Sequence, residues 1–224
     1  MIPRSMLAQH FYKLTRFSRK QLLLEGNHEP RTLKGDAATM FAGYVGENYI
    51  PGKGLLLFGN NPGGGGNTFK RNAHDNVFYP LLTEFKRSGT EEAFEMINKA
   101  FPHIAPCWGL WRIFGPTLKA AGKTIDEVAY MNVFPYRTQE NKAPPVAAKK
   151  EAWNLIVGPT LNLLAPYALV NLGFAASKVV DDLDTVKPYV KRYDIKRTNG
   201  DTYICNEART VHQLMTHELC GEVN

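Results

Sequence analysis

Residues 55–66 read LLLFGNNPGGGG: an apolar run, a glycine, an asparagine–proline turn and four further glycines. Four consecutive large apolar residues bounded by turn residues are typical of a buried strand in a parallel sheet. Glycines have no side chain, so they let the backbone turn sharply and approach another group closely. We therefore expect a strand that delivers a tight turn of bare backbone to one edge of a sheet.

Strand and helix patterns alternate along the rest of the chain. Apolar or alternating runs predict further strands at residues 128–133, 168–172, 202–205 and 211–215. Helical spacing of apolar residues predicts helices at 5–24, 77–87, 91–100, 112–121, 146–164 and 175–182, the third of them starting at Thr90. This order predicts the α/β class, as a three-layer α/β/α sandwich with a mostly parallel central sheet.

Length and composition favour one soluble domain. The chain has 224 residues, and 44% of them are hydrophobic, which excludes a disordered chain. We expect a single domain over residues 1–224 with a helical N-terminal arm at about 1–40. No apolar stretch is long enough to cross a bilayer and no signal peptide is visible, so we expect no membrane partner. Three widely spaced cysteines form no disulfide framework and fit a reducing, cytoplasmic setting.

The balance of charge is basic. There are 27 lysines and arginines against 21 acidic residues, a formal charge of +6, which favours a polyanionic partner. The cations are spread over the chain, at its start, after the glycine loop, in its middle and near residues 187–197. Any single cluster is explained as well by a solvated surface, and only convergence on one face would make a nucleic-acid track.

Several common catalytic and metal motifs are absent. The glycine loop lacks the lysine and hydroxyl of a P-loop and does not reproduce the dinucleotide-binding spacing, so nucleotide hydrolysis is disfavoured. The serine-hydrolase elbow G-x-S-x-G does not occur. His212, His217 and Cys220 do not have zinc-site spacing. We expect no metal and no cofactor.

The expected topology places a ligand site at one edge of the sheet. In open parallel sheets, ligands bind beyond the carboxyl ends of the strands. This rule brings together the turn at residues 60–66, the segment 132–137, Gly173 and His217. Turn chemistry alone explains the glycines about equally well.

Four segments together resemble motifs of the uracil-DNA glycosylase superfamily. Gly59-Asn60-Asn61-Pro62-Gly63, with Asn76 to Tyr79 and Ser88-Gly89 after it, resembles the first motif, in particular that of the mismatch-specific and single-strand-selective branches, Gly-x-Asn-Pro-Gly. Residues 130–138 resemble the second strand and residues 172–176 the third. Residues 215–219 stand where the family has His-Pro-Ser, but Glu218 replaces the proline and the serine is missing. The resemblance covers about residues 40–220.

The resemblance implies a uracil-DNA glycosylase-like fold and hydrolysis of the N-glycosidic bond of a flipped pyrimidine in DNA. It implies that the Asn61 carbonyl orients the attacking water and stabilises the positive charge that develops on the sugar. It also implies that His217 stabilises the leaving base. Arg209 or His212 would be substitutes. Asn132 can pair with the N3–H and O4 edge of uracil or thymine, or else cap a turn before Pro135. The other substrate-binding residues would be Gly59, Asn60, Pro62, Gly63, Gly64 and Phe78.

Stacking and DNA contacts complete this hypothesis. Phe78 is our choice over Phe69 and Tyr79 as the ring that stacks on the base, although each is more often a core residue. Leu219 would fill the gap left by the flipped nucleotide, unless His217 merely closes a strand and Glu218 faces solvent. The remaining DNA-binding residues would be Lys70, Arg71, Arg137 and Lys142.

Substrate and alternatives follow from the glycine loop and the altered last motif. Residues 63–66 offer no side chain to exclude a C5 substituent, so we expect a pocket that accepts uracil, thymine or a bulky C5-modified base of foreign DNA. The leading hypothesis is a monomeric, monofunctional DNA glycosylase in repair or antiviral defence. A catalytically silent relative that binds DNA or a modified nucleotide is the alternative, and a nucleoside-processing enzyme is less favoured.

Overall fold

A five-stranded sheet forms the centre of the protein. The computed structural model describes residues 1–18, 21–22, 40–60, 62, 73–137, 144–173, 176, 178, 190–196 and 204–221. The strands are β1 (Tyr44–Val45), β2 (Leu55–Gly59), β3 (Val128–Asn132), β4 (Ala168–Leu172) and β5 (Lys191–Ile195). Their order is β1-β3-β2-β4-β5, with β1 antiparallel to β3 and all other neighbours parallel. The predicted α/β class with a mostly parallel sheet is confirmed.

The three central strands follow the sequence pattern closely. Every residue of β2, β3 and β4 is buried, as expected for parallel strands covered on both faces. The predicted strands at 55–58, 128–133 and 168–172 are therefore confirmed. We did not predict β1 or β5. β1 has only two residues, and β5 reads KRYDI, whose charged and half-exposed residues hide its strand character.

Helices cover the sheet. They are α1 (Arg4–Thr15), α2 (Ala73–Ser88), α3 (Glu91–Ile104), α4 (Trp111–Ala120), α5 (Val146–Ala152), α6 (Gly158–Leu164) and α7 (Asn206–Cys220). A π-helical turn, Trp153–Val157, joins α5 to α6. The connection from β2 to β3 contains α2, α3 and α4, and the connection from β3 to β4 contains α5 and α6. These layers are compatible with a three-layer α/β/α arrangement.

Most predicted helices are present. α2, α3, α4 and the pair α5–α6 match the expected ranges, and Thr90 caps α3 by accepting a hydrogen bond from the Ala93 amide at 3.2 Å. Of the helix expected at 175–182, only residues 176 and 178 belong to the described part, and both are helical. The expected helical N-terminal arm contains α1, which buries Leu7, Phe11 and Leu14 in the core.

The predicted strand at residues 211–215 is wrong, because these residues lie within α7. Ala208 and Met215 are buried, and Val211 and Leu219 pack partly buried against the same core. These four positions are spaced by three or four residues, which is the helical period. A short alternating run inside this longer pattern suggested a strand. Residues 204–205 precede α7 and form no strand, and residues 202–203 lie outside the described part.

The contact between α4 and α7 contains a half-buried histidine, His212. The Thr117 hydroxyl donates to the Ile113 carbonyl at 2.7 Å, so its oxygen accepts the Nε2–H of His212 at 3.0 Å. Burial lowers the pKa of His212 below its ordinary value of 6.5. As pH falls through 6.5, the unfolded chain gains a proton that the folded chain resists, so stability is lost between 6.5 and the lowered folded value.

We expect acidification from about pH 7.5 to about pH 5.5 to lower the melting temperature of the wild type by about 2–4 °C more than that of His212→Gln. Glutamine keeps a donor for Thr117 but does not titrate. His10 makes an equivalent contact with Thr160 at 3.0 Å, and burial lowers its pKa as well, so it contributes with the same sign to both proteins. Parallel pH dependences of the two melting temperatures would contradict the assignment to His212.

Candidate functional site

The carboxyl ends of β2 and β3 lie side by side. Gly59 is the register partner of Asn132, the last residue of β3. Beyond the strands the pairing continues, because the Val133 amide donates to the Gly59 carbonyl and the Phe134 amide donates to the Asn60 carbonyl, both at 2.9 Å. The start of the asparagine–proline turn therefore lies directly beside the segment after β3, as the topology predicted.

Asn132 places an amide group at this edge. Its side chain is buried, with 2% of the residue exposed. The Tyr130 hydroxyl donates to the Asn132 Oδ1 at 3.0 Å. The Asn132 Nδ2 has no hydrogen-bond partner within the described part of the chain. A buried amide that leaves a donor unsatisfied is costly, so this atom is a candidate for binding an acceptor.

Gly59 makes room for this amide. A Cβ atom at residue 59 would overlap the Asn132 Oδ1 and would lie 2.8 Å from the Tyr130 hydroxyl oxygen. Only glycine leaves that space open at this position. Residue 59 of the predicted site must therefore be glycine, because the Asn132 side chain approaches it closely across the two paired strands.

A buried ion pair joins the segments that follow these two strands. Arg137 lies five residues after β3, and Asp75 lies in the first turn of α2. An Arg137 guanidinium nitrogen lies 3.0 Å from the Asp75 Oδ1, with 10% and 3% of the two side chains exposed. The guanidinium also lies over the Tyr79 ring, 5.0 Å from its centre. Asp75 and Tyr79 are four residues apart on one face of α2 and hold Arg137 together.

This placement does not fit the prediction that Arg137 binds a DNA phosphate. Its charge is already neutralised by Asp75, and nearly all of its side chain is buried. The other predicted substrate and DNA contacts Gly63, Gly64, Lys70, Arg71 and Lys142 lie outside the described residues, as does Asn61. Pro62 is described and half-buried.

Aromatic rings lie beneath the edge. Phe78 is 4% exposed, and its ring centre lies 5.3 Å from that of Phe41 and 6.1 Å from that of Trp108. It is therefore packed among other rings, which favours its reading as a core residue. Trp108 is only half-buried and lies 6.4 Å from the Tyr130 ring, so it is better placed to offer a ring to a ligand. Trp108 was not among the site residues predicted from the sequence.

The structure does not bring His217 to this edge. α7 runs back along β5, and Glu218 near its end pairs with Lys191, the first residue of β5, at 3.5 Å. His217 and Leu219 flank Glu218 in the chain and therefore lie near the amino end of the sheet, whereas Asn132 lies at the carboxyl end. The expectation that His217 shares an edge with Asn132 is wrong.

The surroundings of His217 and Leu219 also differ from the prediction. His217 is exposed on the helix surface, and Leu219 packs partly buried against the core. Neither is placed to stabilise a leaving base or to replace a flipped nucleotide at Asn132. Of the substitutes, His212 is bonded to Thr117, and Arg209 is exposed in the first turn of α7, beyond β5 and three strands from β3.

Besides Trp108, Tyr130 and Asp75 are residues of the candidate site that were not predicted from the sequence. Tyr130 stands two residues before Asn132 on the same strand, so the period of two places both side chains on one face. The two-residue spacing could therefore have identified Tyr130 as a neighbour of Asn132. Asp75 carried no comparable signal, because an acidic residue in the first turn of a helix is explained by the helix dipole alone.

This edge has groups that could recognise a neutral polar group. Among the described residues, the Asn132 Nδ2 lacks a hydrogen-bond partner, and a buried ion pair joins the first turn of α2 to the segment after β3. Within the described ranges, no group of three or more histidines, cysteines or carboxylates could hold a metal ion. No helix in the described part has both the length and the apolar character needed to span a membrane.

No family model matches the chain, and no curated protein matches it either.

Proposed function

We propose that this protein is a DNA glycosylase that hydrolyses the N-glycosidic bond of a flipped pyrimidine, on a uracil-DNA glycosylase-like α/β/α fold. One observation carries the proposal: the buried Asn132 amide, whose Nδ2 has no hydrogen-bond partner among the described residues, lies beside the turn that begins at Asn60. That pair of features is what the resemblance in the sequence requires of a base-recognition site.

In the proposed reaction the bond between C1′ of the sugar and N1 of the base breaks. Water adds its oxygen to C1′, and the base leaves as an anion that takes up a proton. Asn132 would donate to a carbonyl oxygen of the base and thereby support the charge that develops on it. Asn61 would orient the attacking water, and Trp108 would offer a stacking surface.

The position of His217 favours a second candidate function. Without a histidine at the carboxyl edge, the donor that we expected for the leaving base is missing from its predicted place. A protein that binds an extruded pyrimidine and does not cleave the bond would need only the recognition amide and the turn. This is the silent DNA- or nucleotide-binding alternative, and the same experiment decides between the two.

The test is release of base from a panel of single- and double-stranded oligonucleotides carrying uracil, thymine or C5-substituted pyrimidines, scored by alkali cleavage at the abasic site. We expect release from at least one member. Asn132→Leu, which keeps the volume but not the amide, should lower the rate roughly 10- to 100-fold, the worth of a good base contact.

His217→Ala is the matched control, because its side chain lies at the other end of the sheet, and it should release base at the wild-type rate. Binding of a modified oligonucleotide without any release would support the silent binder. Equal rates for Asn132→Leu and the wild type would refute the assigned site.

A further inference from the structure

The connection between α3 and α4, residues 105–110, lies at the carboxyl edge of the sheet. Its Trp108 ring centre lies 6.1 Å from that of Phe78, in the second turn of α2, the helix that follows β2. It also lies 6.2 Å from the ring centre of Phe41, whose amide donates to the Pro135 carbonyl beyond β3 at 3.2 Å. The connection is therefore a neighbour of the candidate site.

This connection exposes parts of two tryptophan rings. Trp108 and Trp111 are both half-buried, and together with Leu110 they line a shallow apolar pocket. The Trp111 ring stacks on that of Phe114, with the ring centres 5.3 Å apart and the planes at 19°. Among the described residues, no second ring packs on Trp111. A half-exposed ring that is supported on one face can accept another planar group, and we call Trp108, Leu110 and Trp111 the tryptophan surface.

The chain on either side of the tryptophan surface is basic. Residues 96–125 contain no aspartate or glutamate. Lys99 and His103 are exposed one turn apart near the end of α3, and Arg112 is exposed at the start of α4. Glu95, the acidic residue that precedes this range, is already held in an ion pair at 2.6 Å. An anionic ligand would therefore meet cations and no carboxylate from this stretch of the chain.

A single strand of nucleic acid has the chemistry that complements this surface. Its unpaired bases have flat faces that stack on aromatic side chains, and lysine and arginine attract its phosphates. We propose that the tryptophan surface binds single-stranded DNA by stacking a base that flanks the recognised pyrimidine on Trp111. Trp108 remains available to the pyrimidine itself. This inference rests on the proposed DNA partner, although neither on the role of Asn132 nor on cleavage of the bond.

The test compares Trp111→Leu with Tyr167→Leu. Each variant removes a half-buried ring and keeps an apolar side chain. Tyr167 directly precedes β4 at the amino end of the sheet, where the Lys191 Nζ lies 5.3 Å from its ring centre. Trp111→Phe is added to restore a smaller ring. Affinity is measured by fluorescence anisotropy at one fixed salt concentration, because phosphate contacts depend on salt.

Two labelled single-stranded oligonucleotides serve as probes. Both carry one 2′-fluoro-2′-deoxyuridine within a run of deoxyadenosines, and its electron-withdrawing fluorine opposes cleavage. In the second probe the nucleotide on each side of it is replaced by a tetrahydrofuran abasic analogue, which keeps the phosphates but has no base to stack. The ratio of the two affinities therefore measures the contribution of the flanking bases.

We expect the wild type and Tyr167→Leu to bind the first probe about 5- to 30-fold more tightly than the second, the worth of one stacked base. In Trp111→Leu this ratio should fall nearly to one, because only affinity for the first probe is lost. Trp111→Phe should restore part of the ratio. Equal loss of affinity for both probes in Trp111→Leu would indicate a merely structural role and overturn the inference. So would a wild type that binds both probes equally or binds neither.

Failure of the proposed glycosylase function has a different signature. If the wild type releases no base from any oligonucleotide but shows the expected ratio, and Trp111→Leu loses it, catalysis is refuted and the tryptophan surface stands. If base is released but Trp111→Leu keeps the wild-type ratio, the function stands and the inference fails.

Discussion

Asp75→Asn is expected to lower the free energy of unfolding by about 3–5 kcal/mol, the cost of leaving one charge of a buried ion pair without its partner. Arg137 would keep its positive charge with only 10% of its side chain exposed and its carboxylate gone. The measurement is urea unfolding followed by circular dichroism, comparing the midpoint and the slope with those of the wild type.

Two further variants make this result specific. Glu84→Gln breaks an exposed pair with Arg87 on the same helix and should leave the midpoint unchanged. Asp75→Leu combined with Arg137→Met removes both charges and should cost less than the sum of the single changes. A strictly additive double variant would show that the pair is not coupled in the folded protein.

The ion pair also bears on the site, because of where its partners lie in the chain. Asp75 begins the helix that follows the turn after β2, and Arg137 ends the segment that follows β3. Their contact holds the first turn of α2 against the segment that follows β3. We therefore regard Asp75 and Arg137 as the support of the site rather than as its DNA-binding surface.

Sequence patterns predicted the centre of the fold because every residue of the central strands is buried, which makes these strands recognisable as apolar runs. β2, β3 and β4 are continuous apolar runs, and the neighbouring carboxyl ends of β2 and β3 followed from parallel topology alone. β5 was missed since it lies at the sheet edge and has charged residues. α7 was misread because four core positions are spread over a mostly polar helix.

Some residues of the candidate site could be predicted from the sequence and others could not. Asn132 was singled out through the resemblance of residues 130–138, and the structure places its buried amide at the carboxyl end of β3. The role of Arg137 was not predicted, because its partner Asp75 is 62 residues away in the chain and only the fold brings them together. His217 was placed wrongly because its position depended on a final strand that is a helix, and that helix runs toward the opposite end of the sheet.

Gly59→Ala is expected to disrupt the site and to lower the stability of the fold, although a strand normally prefers alanine to glycine. Alanine is normally better than glycine inside a strand, by roughly 0.5–1 kcal/mol. Here the added Cβ would overlap the Asn132 Oδ1 and approach the Tyr130 hydroxyl, in a region where the neighbouring residues are buried. Such overpacking typically costs about 1–3 kcal/mol, so we expect a net loss of stability.

The same displacement should reduce base recognition at least as far as Asn132→Leu does, because the amide and the hydroxyl hydrogen-bonded to it are both forced to move. Gly115→Ala is the matched control: it lies inside α4, where the nearest obstacle is the Trp111 side chain at 3.1 Å and alanine favours the helix. That control should keep base release and stability. Should Gly59→Ala prove more stable than the wild type with unchanged recognition of uracil, the amide cannot occupy the place beside Gly59 in the functional protein, and the binding site proposed at Asn132 would have to be abandoned.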